Sequence, residues 1–168
     1  ALDDAWDSIC WVAANGKELD ADTSRLAIGG DSAGGTLAAT VCRRARDEGG
    51  PDIRLQVLVY PVTDMTLSHP SMTEHGVGYN LTEEIMVWFR DLYLPDKETR
   101  SDPDASPLLA DDFRDLPPAY IIAAGFDPLR DEAKAYADAL SSAGVEAEYI
   151  CYDGMIHGFL NMPAVLDD

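Results

Sequence analysis

The stretch LAIGGDSAGGTLAAT, residues 26–40, sets four glycines around a single serine, between an apolar run and a small-residue run with helical character. Glycine weakens a strand or helix interior by about 0.5–1 kcal/mol relative to alanine, so such a cluster needs a reason in the backbone. A sharp strand-to-helix turn supplies one. Gly30-Asp31-Ser32-Ala33-Gly34 fits the pattern G-x-S-x-G, in which the serine sits in a disfavoured backbone conformation and projects its hydroxyl, while the flanking glycines let the chain pass closely. The small residues that follow (Ala33, Gly34, Gly35, Ala38, Ala39) allow a helix to approach a sheet closely. A phosphate cradle would close its glycines with Lys-Ser or Lys-Thr, and this cluster does not.

Outward from the turn, four apolar runs read as strands: 25–29, 55–60, 119–124 and 145–152. The middle two are unbroken rather than alternating, the pattern of parallel strands covered on both faces. A helical stretch over 33–47 joins the first two and stops at EGGPD. The last two are joined by DPLRDEAKAYADALSSAG, with Pro128 suited to a first helical turn and Gly144 to the C-terminal cap. This alternation predicts an α/β fold with right-handed crossovers. Residues 1–15 carry an apolar stripe at helical spacing (Leu2, Ala5, Trp6, Ile9, Val12). The connection 61–118 is long and rich in Pro, Ser, Thr, Met and aromatics, with one amphipathic helix over 82–93 that LTEE opens with Thr82 as N-cap. An excursion of that length at strand ends makes a lid or a pocket wall.

The 168 residues are 46% hydrophobic, enough for a core, and carry a formal net charge of −19. That charge repels nucleic-acid phosphates and anionic membranes, so neither is an expected partner. The acidity fits a high-salt habitat and a codon bias equally well. Cys10, Cys42 and Cys151 lie in two predicted helices and a predicted strand without metal-site spacing, which predicts free thiols and a reducing, cytoplasmic setting. The longest apolar run, AYIIAAGF, is too short to span a bilayer. The chain opens inside an apolar stripe without an initiator methionine and stops at NMPAVLDD, so the expectation is a piece of a larger domain.

A serine on such a turn needs a base, and the histidines are His69, His75 and His157. His157, in DGMIHGF, lies just beyond the fourth strand, and the carboxyl ends of parallel strands form the rim where α/β sites assemble. Asp127 follows the third strand directly and is the expected orienting acid, accepting from His157 Nδ1 so that Nε2 can take the serine proton. Asp131 and Asp153 are competing acids, read as capping or solvated carboxylates. Asp31 is read as an acceptor that braces the turn. The order Ser32, Asp127, His157 is that of the α/β-hydrolases, each residue following a different strand.

GDSAGG (30–35), YP (60–61), SPL (106–108), LPPAYI, FDPLRDE and IHGF together resemble the hormone-sensitive-lipase-like branch of α/β-hydrolase esterases, over nearly the whole chain. The resemblance implies a partial α/β-hydrolase catalytic domain over 1–168, with 62–105 as a cap-like excursion. It also implies an N-terminal cap and the first half of the sheet upstream of residue 1. The implied activity is a serine carboxylesterase acting on short to medium acyl esters, with no metal and no cofactor. Its partners would be a small-molecule ester and either a second copy or the missing N-terminal segment. An oxyanion loop of the form H-G-G-G is implied upstream, leaving the Ala33 N–H as the donor assignable here, so that the piece alone is expected to be a poor catalyst. EHGVG (74–78) imitates that loop but lies after the serine. Phe126, Leu129, Met155 and Phe159 are the expected pocket walls, whereas Met86, Trp88 and Phe89 are expected to pack the excursion on the core. Two alternatives keep the fold. A non-catalytic ligand binder would resemble the plant gibberellin receptors, which have lost the histidine that is present here. A serine peptidase would carry an aromatic where Asp31 stands.

Overall fold

The computed structural model describes residues 1–164 and Leu166, and it breaks the glycine-rich stretch at Ser32 into strand β1 (Leu26–Asp31) and helix α2 (Ala33–Glu48). Helix α1 (Leu2–Ala14) precedes them. Strand β2 (Ile53–Val59) follows, then α3 (Pro70–Glu74), α4 (Glu83–Tyr93), β3 (Ala119–Phe126), α5 (Arg130–Ser142) and β4 (Ala147–Ile156). All three strand pairings are parallel and the sheet order is β1-β2-β3-β4. Every active-end loop therefore leaves the same edge of the sheet.

Crossovers that step in one direction with one hand put their helices on one face. Ala38 and Ala39 of α2 accordingly share a buried cluster with Ala133, Tyr136, Ala137 and Leu140 of α5, against Leu58, Ile121 and Ala123 of the sheet. Leu2, Ala5, Trp6 and Ile9 of α1 pack against a cluster of Val41, Cys42 and Ala45 of α2 with Ile53 of β2. The opposite face is less covered among the described residues. Leu55, Val57, Val59 and Ile122, which alternation directs to the opposite face, are only half-buried, and β1 exposes Ala27, Gly29 and Asp31.

The caps explain where the helices stop. Gly49 (φ 68°) and Gly144 (φ 82°) adopt the left-handed conformation just past α2 and α5. Thr82 Oγ1 accepts from Ile85 N at 3.2 Å at the start of α4, as LTEE predicts. Pro128 instead lies in the turn before α5, because Asp127 Oδ1 accepts from Leu129 N at 2.9 Å and delays the helix. The excursion has its own apolar cluster, Val62, Met65, Met72, Leu81, Met86 and Ala105, into which Leu129 is inserted. Among the described residues no helix is long and apolar enough to cross a membrane.

Candidate active site

Ser32 adopts φ 53°, ψ −121°, a conformation that costs a non-glycine residue about 1–3 kcal/mol and persists only where its surroundings impose it. Here Ser32 N–H donates to Val59 O at 2.9 Å, and Ser32 O accepts from Gly35 N at 2.9 Å and from Thr36 N at 3.3 Å. Gly30 has to be glycine because a Cβ there would run into the backbone of Gly34, and one on Gly35 would lie 2.7 Å from Pro61 Cβ. Gly34 itself is not forced, since a Cβ on it meets nothing within 4 Å.

Ser32 Oγ lies 3.1 Å from His157 Nε2, and His157 Nδ1 lies 2.7 Å from Asp127 Oδ2. The three residues come from the ends of β1, β3 and β4. Asp127 is fully buried, its other carboxylate oxygen occupied by Leu129 N–H, so its lone pairs are aimed and dry. His157 precedes Gly158, whose left-handed φ of 85° makes the tight return the sequence suggested. The ring of Tyr60 packs against the imidazole with centroids 4.5 Å apart, and Asn80 Nδ2 donates to His157 O at 3.1 Å. Burial, with the carboxylates of Asp31 and Asp127 adding to it, holds the Tyr60 hydroxyl above the usual phenol range, so the ring beside His157 is uncharged. With Asp127 accepting at Nδ1–H, Nε2 is left as the acceptor facing Ser32, an arrangement that can draw a proton from a hydroxyl.

A cavity of about 660 Å³ opens on Ser32 and His157. Ala33, the first residue of α2, lines it, and its N–H has no acceptor among the described residues. Val62, Met65, Leu81, Ile85, Met86 and Phe89, most of the apolar lining, come from the excursion, and Arg90 and Tyr93 line it too. This corrects the expected walls. Phe126 stacks on Tyr79 and meets His75 edge-on instead, Leu129 is buried in the excursion cluster, and Phe159 packs on Tyr60 and Tyr152; none of these, nor Met155, lines the cavity. Met86 and Phe89, expected only to pack, do line it.

The remaining candidates fall elsewhere. Asp31 is exposed at the end of β1 and braces nothing among the described residues. Asp131 Oδ2 accepts from Ser71 N at 2.9 Å, capping α3, and Asp153 is exposed. His75 of EHGVG is held through Nε2 by Arg130 Nη1 at 2.7 Å and lies outside the cavity. His69 faces Asp64 at 3.4 Å. Tyr60 and Asn80 are the site residues that sequence reasoning missed. YP directly after the second strand was a usable signal for the first, while a lone asparagine in a loop offers none.

Residues 1–161 match the protein family described as alpha/beta hydrolase fold. Carboxylic ester hydrolase LipN of Mycobacterium tuberculosis is 45% identical over 168 residues, covering 96% of this chain and 45% of LipN. The ethyl acetate hydrolase of Pseudomonas putida is 37% identical over 171 residues, covering 100% of this chain and 53% of the hydrolase. Among solved structures, the thermophilic carboxylesterase EstE1 from a metagenomic library superimposes with a TM-score of 0.95 at 42% identity, over 99% of this chain and 57% of EstE1. The hyperthermophilic esterase of Pyrobaculum calidifontis gives a TM-score of 0.95 at 42% identity, over 99% of this chain and 55% of the esterase. The chain spans about half the length of the relatives it matches.

Proposed function

The chain belongs to the α/β-hydrolase fold family, in its hormone-sensitive-lipase-like branch, and from that premise we propose that it is a serine carboxylesterase hydrolysing short to medium acyl esters through an acyl-enzyme. The observation that carries the reading is the unbroken hydrogen-bonded line from Ser32 Oγ through His157 to Asp127 at the mouth of an apolar cavity.

In this mechanism Ser32 Oγ attacks the acyl carbon while its proton passes to His157 Nε2, and Asp127 holds the tautomer and then the imidazolium. The carbonyl oxygen becomes an oxyanion and receives the Ala33 N–H; one such donor is worth about 3 kcal/mol in the transition state. Collapse breaks the bond to the alcohol oxygen, which leaves with the proton from Nε2. Water then attacks the acyl-serine, giving its proton to the same nitrogen, and Ser32 recovers that proton as the acid departs. The apolar walls suit the hydrocarbon part of an acyl chain.

The test is hydrolysis of p-nitrophenyl acetate and butyrate, beside a p-nitroanilide amide, by the protein at the length of the relatives it matches, since the Ala33 N–H is the one oxyanion donor assigned within residues 1–168. The proposal expects ester turnover, no measurable amide turnover, and a loss of about a thousandfold or more in kcat for Ser32→Ala. Ester turnover that survives Ser32→Ala, or binding of esters without turnover, contradicts it.

A further inference from the structure

Helix α5 buries a carboxyl group that the hydrolytic steps do not use. Glu132 is fully buried in the first turn of α5. Its Oε1 accepts from Thr63 N at 2.7 Å and from Asp64 N at 3.2 Å, and its backbone O accepts from Thr63 Oγ1 at 2.9 Å. Oε2 has no partner among the described residues. An apolar side chain of the same size would fill this place without desolvating a carboxyl group, but it would leave two N–H groups of an irregular segment unpaired in the interior.

The segment held in this way is attached at its other end to the serine turn. Val62 N–H donates to Ser32 O at 3.4 Å, and Thr36 Oγ1 donates to Val62 O at 2.7 Å. On the side of α5, Asp127 Oδ1 accepts from Leu129 N at 2.9 Å and Asp127 O from Arg130 N at 3.1 Å. Residues 62–64 are therefore a bridge, with the elbow at one end and the helix carrying the acid loop at the other.

Resting on the esterase reading above, we infer that Glu132 is a positioning residue for the Ser32–His157–Asp127 array. By receiving the Thr63 and Asp64 N–H groups it ties the loop after β2, and through it the serine turn, to the helix behind Asp127. The Ser32 to His157 contact at 3.1 Å joins elements 125 residues apart in sequence, and such a contact tolerates little relative drift of its two supports. Burial holds the Glu132 carboxyl well above the usual carboxylate range, and the oxygen that accepts the two N–H groups is of a kind an amide also carries. Glutamine has the same shape and the same acceptor, and alanine has neither.

The experiment compares wild type, Glu132→Gln, Glu132→Ala and Glu132→Met in the full chain, measuring the rate at which a fluorophosphonate labels Ser32 per folded molecule, with KM and kcat on p-nitrophenyl butyrate. The expected result is labelling within about twofold of wild type for Glu132→Gln and at least about tenfold slower for Glu132→Ala, with the loss in kcat rather than KM. Labelling of folded Glu132→Ala at the wild-type rate overturns the inference and leaves Glu132 a purely structural residue; equal slowing in Glu132→Gln also overturns it. If Glu132→Ala does not fold, Glu132→Met decides, since it removes the acceptor of the Thr63 and Asp64 N–H groups at nearly constant volume. Slowing of about threefold with an unchanged circular dichroism spectrum supports the role, and the wild-type rate overturns it. A wild-type chain that resists the probe altogether overturns the esterase reading, and this inference with it.

Discussion

A serine at φ 53° and ψ −121° exists only because its neighbours leave it no alternative, and the two glycines flanking it differ in what they contribute. Gly30→Ala drives a methyl group into the backbone of Gly34, and we expect a loss of about 2–4 kcal/mol in urea denaturation. Gly34→Ala meets open space inside a helix, so a change within about 1 kcal/mol of wild type, in the stabilising direction, is expected from the same measurement. Glu132 gives a prediction in pH. Its folded-state pKa is raised by burial, so the neutral form favours folding; this stability is complete below the unfolded-state value of about 4.3 and is lost as pH rises through the folded value. Glu132→Gln lacks that loss, so its stability relative to wild type should climb with pH above about 4; a difference independent of pH would refute a raised Glu132 pKa.

Helix α4 marks how far the sequence could be read at the scale of elements. Its caps and periodicity were legible, but periodicity says that a helix has an apolar side without saying what that side faces. Ile85 and Phe89 are exposed, as Trp88 and Leu92 are, yet of these four residues Ile85 and Phe89 border the cavity. Ile85→Trp narrows the cavity, and kcat/KM on p-nitrophenyl octanoate relative to acetate is expected to fall by about tenfold, whereas Phe126→Ala leaves that ratio unchanged. The opposite result would return the pocket walls to the residues flanking Asp127. The strands and the sites at their ends were legible because parallel pairing aligns their carboxyl ends on one rim. The five-residue α3 was not, since it is capped from 60 residues away by Asp131, and no local signal reports such a partner. Glu132 was hidden for the same reason: its acceptors and donors meet across 69 residues.

At the scale of the molecule, among the described residues, one face of the sheet is packed by α2 and α5 while the other is half-covered, and β1 pairs on one side, with β2. Free strand edges and uncovered apolar faces pair with other chains, and a net charge of −19 opposes that association. Self-association of the 168-residue chain is therefore expected to increase between about 0.05 and 1 M salt, as screening removes the repulsion; light scattering after size exclusion that shows a monomer at both salts would contradict this. The same sheet brings together a hydroxyl, an imidazole and a carboxylate from three strand ends, and the account depends on that convergence making Ser32 a nucleophile. The most direct measurement is peptide mapping by mass spectrometry after fluorophosphonate treatment of the full chain. One adduct is predicted, on the peptide containing Ser32, absent in Ser32→Ala and slowed by at least about a hundredfold in His157→Ala. An adduct on another serine, or labelling undiminished in Ser32→Ala, would contradict the central claim.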